Sequence, residues 1–295
     1  MILHEPVLPV ETIEQLAPAG RALVVDCTVG TGGHTEALFQ AGAARVLGFD
    51  RDAEVLDLAR QRLSRWQDRL ELVHGDYRGF SQALDDRGID RVDGALADLG
   101  HSTIQLESEG RGFSFRLDGP LDMRMDRSQG ATLAEMLDGV TPEALADVIY
   151  QYGEERHSRR IARGIVWARD AGELSSTTEL ATVVRRSMRY RGRTRIDPAT
   201  RTFQALRIWV NRELDGLDVF LRSLAGRLAA GARLVVVSFH SLEDRIVKHT
   251  LRELEQSGEL ALRVLTRRPL RPGPDEVARN PRARSARLRA AERLA

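Results

Sequence analysis

The chain has 295 residues, 42% of them apolar and 29% charged, enough for a full core and one or two domains. A net charge of +1 excludes a global field that would draw it to polyanions, so any such contact must come from local clustering. Cys27 is the only cysteine, which excludes an intramolecular disulfide or a Cys-rich zinc site, and no stretch approaches the length of a membrane span.

The N-terminal His4-Glu5-Pro6-Val7-Leu8-Pro9-Val10-Glu11 leads into a short helix ending near Leu16. It lacks the basic-then-apolar pattern of a signal peptide, so a cytoplasmic protein with no membrane association is expected. The stretch from Leu23 to His34, LVVDCTVGTGGH, reads as a strand (about 21–26) ending in Asp26, a glycine turn, and a helix over about 35–42. Strand, glycine turn and helix form the first crossover of a nucleotide-binding α/β sheet. The dinucleotide fingerprint would need glycine where Thr35 stands, and a P-loop would need Gly-Lys, whereas the only lysine is Lys248. A cationic adenosine ligand fits better, with Asp26 at the strand end to welcome the charge. S-adenosylmethionine, with a sulfonium and an ammonium, is such a ligand. A tight glycine connection with no ligand is the plainer alternative for this stretch alone.

A second strand over 44–49 ends in Asp50, 17 positions after Gly33, near the spacing at which a carboxylate meets ribose hydroxyls. Asp50 also suits the cap of the following helix. A third strand, 70–74, precedes Tyr77, which is placed to pack on adenine or, more plainly, in the core. A fourth, 92–98, ends in Asp98. Parallel sheets bind ligands outside their carboxyl ends, so Asp26, Asp50 and Asp98 are expected to converge on one cleft.

Beyond Asp98 the βα rhythm stops. Thr141-Pro142-Glu143 starts a helix, a second carries Ile161, Ile165 and Val166, Thr178 opens a third, and Phe203, Leu206 and Ile208 lie on a fourth. Residues 105–212 thus read as a helical insertion, expected to recognise the substrate, within an α/β domain of residues 1–104 and 213–295. A helix over 217–228 returns to a fifth strand, 233–238. Phe239-His240-Ser241-Leu242-Glu243-Asp244 follows, then a helix over 245–255 and an antiparallel pair, 262–267 with 285–292.

Several stretches resemble one family, the ribosomal RNA small subunit methyltransferase H (MraW) family. They are His4-Glu5-Pro6-Val7-Leu8, the Asp26–His34 turn, Arg111-Gly112-Phe113-Ser114-Phe115, Gly119-Pro120-Leu121-Asp122-Met123-Arg124-Met125-Asp126, and Tyr152-Gly153-Glu154-Glu155-Arg156. Further on are the run from Ala199 to Ile208, Ser238-Phe239-His240-Ser241-Leu242-Glu243-Asp244-Arg245 and Asn280-Pro281-Arg282-Ala283-Arg284-Ser285. They span almost the whole chain in order. The resemblance implies a class I (Rossmann-like) α/β methyltransferase with a mostly parallel, doubly wound sheet and a helical domain inserted between strands four and five. It implies S-adenosylmethionine as methyl donor and, as substrate, the exocyclic N4 of a cytidine in the decoding region of 16S rRNA, within the assembled small subunit. Carried over by position, cofactor contacts fall on Gly32, Gly33, His34, Asp50, Tyr77, Asp98 and Gln105. One departure is His101, which stands where the family has an apolar residue.

Such chemistry needs a proton acceptor near N4 and a flat surface for the flipped base. Asp98 is the first candidate acceptor, with Ser102 and His240 as further ones; Phe113 or Phe239 is a candidate to stack on the base. Each also has a plainer role, in cofactor binding for Asp98 and in the core for the phenylalanines. Six arginines without an acidic residue lie between Arg185 and Arg195, among them Arg189, Arg191 and Arg193, the candidate RNA contacts. Nine more follow from Arg267 onward, against Asp275, Glu276 and Glu292. Because 44 residues are Lys or Arg and only one is lysine, a solvated face in an arginine-rich chain is the alternative for both runs. No metal is expected, and oligomeric state is open, a homodimer being one option. A methyltransferase on another RNA or DNA base, and a non-catalytic cofactor-binding assembly factor, are the competing readings.

Overall fold

The computed structural model describes residues 5–100, 102–188 and 197–295. The chain runs through α1 (Pro9–Leu16), β1 (Leu23–Asp26), α2 (Gly33–Gln40), β2 (Arg45–Asp50), α3 (Ala53–Arg62), β3 (Leu70–His74), α4 (Phe80–Asp85) and β4 (Val92–Asp98). Then come α5 (Thr103–Glu107), α6 (Leu133–Asp138), α7 (Pro142–Gly153), α8 (Ser158–Asp170), α9 (Thr177–Ser187) and α10 (Ala199–Asn211). The last part holds α11 (Leu217–Gly226), β5 (Leu228–Ser238), α12 (Ser241–Ser257), β6 (Leu262–Val264), α13 (Pro274–Arg279) and β7 (Arg287–Arg293). Contacts divide these into two compact units, Met1–Gly100 with Leu214–Ala295, and His101–Glu213.

The first unit is built on a seven-stranded sheet in the order β3-β2-β1-β4-β5-β7-β6. Strands β1 to β5 pair in parallel, and β7 is antiparallel to both β5 and β6. The central strands are short apolar runs because both faces are covered. On one face Val24, Val46, Leu96, Val235 and Val237 meet Leu16 of α1 and Leu38 and Phe39 of α2. On the other, Val25, Leu47, Ala95, Ala97, Leu234 and Val236 meet Phe80 of α4, Phe220 and Leu224 of α11, and Val247 and Leu251 of α12. The α/β class, the parallel strands and their carboxyl-terminal tips are those expected from the sequence.

The second unit is helical, and among its described residues only an isolated bridge, Pro120 with Ser176, is sheet-like. Leu145 and Ile149 of α7, Ile161 and Ile165 of α8, Leu180 and Val184 of α9, and Phe203 and Leu206 of α10 form its core. Thr141 caps α7, its Oγ1 accepting from Ala144 N at 3.2 Å, and Pro142 occupies the first turn. Near the unit's end, buried Arg207 makes a two-point pair with Glu213, 2.8 Å at each contact.

Several element boundaries differ from expectation. α2 starts at Gly33 rather than 35, because Gly32, at φ 85°, takes the N-cap position itself. α9 is capped by Ser176, not Thr178: Ser176 Oγ accepts from Glu179 N and the Glu179 side chain reaches back, a reciprocal cap. The α6 helix was not anticipated, although Thr132 and Glu135 form the same device. α12 begins at Ser241, four residues before the expected start, because His240 caps it through its ring. β5 starts earlier, at Leu228, and its antiparallel neighbour is the later strand of the tail pair, β7.

Candidate active site

Strand register decides what gathers at the carboxyl edge of the sheet. Asp26 of β1 pairs with Gly48 of β2 and Leu96 of β4. Asp50 and Asp98 therefore lie two residues further along on either side, on the same face as Asp26. The turn after β1 folds up against them. Its Val29 N–H donates to Phe49 O at 2.9 Å, and a Cβ at position 48 would lie 2.4 Å from Val29 Cγ2, so only glycine lets the turn lie down on β2.

Asp26 does not face a ligand as expected. It is fully enclosed. Its Oδ2 accepts from Thr35 Oγ1 at 2.6 Å and its Oδ1 from Thr28 N at 3.1 Å. The overhang of its two neighbours and the start of α2 seal it in. Burial raises its carboxyl above the ordinary range, against the hydrogen bond from Thr35 and the charge of His34.

Asp98 stands at the partly buried edge of the sheet, its side chain 18% exposed. Its main-chain N–H donates to Thr28 Oγ1 at 2.6 Å, and its Oδ2 lies 3.4 Å from Nε2 of His34, which is 5% exposed. Neither ring nitrogen of His34, nor Asp98 Oδ1, completes a hydrogen bond, although these atoms are buried. Burial pulls the imidazole toward neutrality, but Asp98, Asp26 and Glu276 outweigh it and raise its pKa. Three buried polar atoms without a hydrogen bond, beside a glycine turn, mark a place where donors and acceptors from a ligand belong. The residues present fit a cationic amino-acid-bearing nucleoside.

Asp50 takes two backbone donors, Gly30 N at 2.8 Å on Oδ2 and Asp52 N at 2.9 Å on Oδ1. Burial pushes its pKa up to about 6, against those two bonds. Each oxygen keeps a lone pair for a hydroxyl. Asp52, not Asp50, caps α3, accepting from Glu54 N and Val55 N. Tyr77 packs on Phe220 with ring centroids 4.5 Å apart, and the guanidinium groups of Arg51 and Arg78 lie 5.9 Å from its ring. Burial raises its hydroxyl pKa. The tyrosine is thus part of the core edge, with the Arg51–Asp76–Arg78 cluster around it.

The remaining candidates are placed as follows. Phe239 is half-buried against the α1/α2 face of the sheet, and a Cβ on Gly100 would lie 3.2 Å from its Cδ2. His240 is buried as the cap of α12: its Nδ1 accepts from Glu243 N at 3.3 Å, which leaves the proton on Nε2, 3.2 Å from Glu243 Oε1. That tautomer offers no free lone pair to a substrate proton. In the helical unit, Ser102 and Gln105 cap α5 reciprocally, Gln105 Oε1 accepting from Ser102 N at 2.9 Å, and Phe113 is buried. Arg189, Arg191, Arg193 and His101 lie outside the described residues. The first unit therefore brings Gly32, Gly33, His34, Asp50 and Asp98 to one sheet edge. Sequence reasoning missed Thr28 and Thr35, whose hydroxyls flank the glycine turn.

Residues 1–294 match the family model described as the MraW methylase family. The chain belongs to that family. Among similar MraW relatives, a protein of Sorangium cellulosum is 50% identical over 291 residues, covering 99% of this chain and 91% of that protein. One of Bradyrhizobium diazoefficiens is 47% identical over 302 residues (98% and 91%), and one of Kosmotoga olearia 45% over 296 (99% and 97%). All three carry the name ribosomal RNA small subunit methyltransferase H. Likeness to solved structures is looser. An rRNA methylase from Streptococcus thermophilus aligns over 100% of this chain and 99% of that one at 13% identity and a TM-score of 0.45. This MraW methylase is an α/β protein with a mostly parallel sheet. Among its described residues no helix is long and apolar enough to cross a membrane.

Proposed function

We propose that this MraW methylase transfers a methyl group to the exocyclic N4 of a cytidine in the decoding region of 16S rRNA, acting on the small ribosomal subunit in the cytoplasm. The observation that carries the chemistry is Asp98, a carboxylate at a sheet tip with one oxygen beside His34 and the other, Oδ1, without a partner. The rRNA substrate is supported by relatives 45–50% identical and named for it.

When bound, S-adenosylmethionine supplies a methyl on a sulfonium, an electrophile that needs little activation. The turn at Gly30–Gly33 and the side chains of His34 and Asp98 would hold its methionine end, and Asp50 its ribose. The harder part is the nucleophile. The N4 lone pair is delocalised into the ring, and transfer releases a proton. The Asp98 carboxylate takes that proton, with His34 beside its Oδ2. Thr28 fixes the Asp98 backbone so that the carboxylate does not swing. Phe239, half-buried beside Gly100, offers a flat apolar surface to the base, and the helical unit, with Arg189, Arg191 and Arg193, recognises the RNA.

A labelled-methyl assay tests the reading. Small subunits should become labelled at a cytidine N4, while free DNA should not. Asp98→Ala should lower turnover at least 100-fold. Binding of the donor with no transfer to any nucleic acid would favour the assembly-factor reading instead.

A further inference from the structure

The arginines after Arg267 are not a uniform solvated face. Several exposed or half-exposed arginines of the sheet unit hold carboxylates, though among the described residues Arg45 and Arg252 do not: Arg62 and Arg65 share Glu36, Arg222 holds Glu253, and Arg263 holds Glu292 at 2.6 Å. Arg287 and Arg289 take both oxygens of Asp244. Arg267, Arg268, Arg271 and Arg284 are exposed, and among the described residues none has an ion-pair or hydrogen-bond partner.

Their placement follows from the sheet edge. After β6 the chain stays on β7, with Ala290 N donating to Thr266 Oγ1 at 2.8 Å and Leu270 and Leu288 exchanging bonds at 3.0 Å. Between these anchors, Arg267-Arg268-Pro269 bulges out against the single residue Arg289. Proline has no N–H to pair, so the bulge cannot close onto the strand. Leu265 and Leu270 pack, partly buried, against the core. Leu288 pairs with Val237, and Val237 with Asp98, so the Leu270 anchor lies in the same cross-sheet row as Asp98. Three strand spacings separate them, roughly 14 Å.

We propose that Arg267, Arg268 and Arg271 form a phosphate track that holds the RNA strand flanking the target base. The inference rests on the RNA-methylating reading above and names a second contact for that substrate. Guanidinium forks without carboxylate partners are free to take phosphate oxygens two at a time.

The test compares the full-length protein with the triple variant Arg267→Gln/Arg268→Gln/Arg271→Gln and with its Lys counterpart. Affinity for small subunits is measured against salt without turnover, alongside methyl transfer. The Gln variant should bind about tenfold or more weakly at low salt, with a log–log salt slope shallower by about 2 for three lost contacts. KM should rise while kcat and donor binding stay unchanged, and the Lys variant should retain most of the slope. Wild-type affinity and slope in the Gln variant would overturn the track. So would a Gln variant that self-associates with unchanged RNA affinity, since the arginines would then only guard a sheet edge, or one that loses binding to anionic vesicles but not to RNA. A wild-type protein that binds subunits with this salt slope yet transfers no methyl would instead overturn the proposed function and leave the track standing.

Discussion

Thr28 links the two buried-edge carboxylates: its hydroxyl accepts the Asp98 N–H at 2.6 Å while its own N–H donates to Asp26 at 3.1 Å. Asp26 in turn accepts from Thr35, the chain neighbour of His34, and His34 faces Asp98. The result is a closed circuit, Thr28–Asp98–His34–Thr35–Asp26, in which each member is fixed by two others.

Breaking that circuit at Thr28 tests it. Thr28→Val keeps the volume but leaves the Asp98 N–H unpaired, a loss of about 1–3 kcal/mol. Turnover should fall about tenfold or more, and Thr28→Ser should recover most of it. Equal activity in the Val variant would mean that Asp98 is held by other means.

Asp50 should make stability depend on pH in a definite sense. Its folded pKa, about 6, lies above the ordinary 3.8, so the folded state favours the protonated form. The stability this contributes is fully present below about pH 4 and is lost as pH rises through 6. The melting temperature of the donor-free protein, minus that of Asp50→Asn, should therefore shrink between pH 4.5 and pH 7. The same variant should bind the donor about tenfold or more weakly at pH 7, by calorimetry. A temperature gap that does not change with pH would refute the assignment.

Gly48→Ala should destabilise the sheet unit by about 1–3 kcal/mol, because the new methyl would meet Val29. Chemical denaturation reads this directly. Donor affinity should fall as well, since Val29 precedes the glycine turn.

The buried pair Arg207–Glu213 should be costly to halve and cheap to replace. Arg207→Met alone leaves Glu213 without its two-point partner and should lower stability by about 3–5 kcal/mol. Arg207→Met with Glu213→Leu should recover a large part of that. A double variant as unstable as the single one would show that the pair also satisfies other groups.

The strand tips were legible because a parallel strand buried on both faces reads as an apolar run stopped by a polar residue, as at Asp50 and Asp98. The role of Asp26 was not. Its position looks like the others in sequence, and only pairing with Gly48 and Leu96 shows that it sits two residues short of the edge. His240 misled for a different reason. A histidine after a strand invites a catalytic reading, yet Ser241-Leu242-Glu243 behind it is a helix start, and the imidazole caps it. The α6 helix and the true start of α9 were written in Thr132…Glu135 and Ser176…Glu179, spacings that mark a reciprocal cap.

β4 and β5 are hydrogen-bonded neighbours, yet the entire helical unit lies between them in the chain. Bringing β4 to β5 in an unfolded chain would require closing a loop of well over 100 residues, a slow entropic search. A helical unit that collapses first on its own local contacts shortens that search to the distance between its two ends. Weakening the helical core, for instance at Ile149 or Leu180, should thus slow the refolding of a sheet to which neither residue belongs.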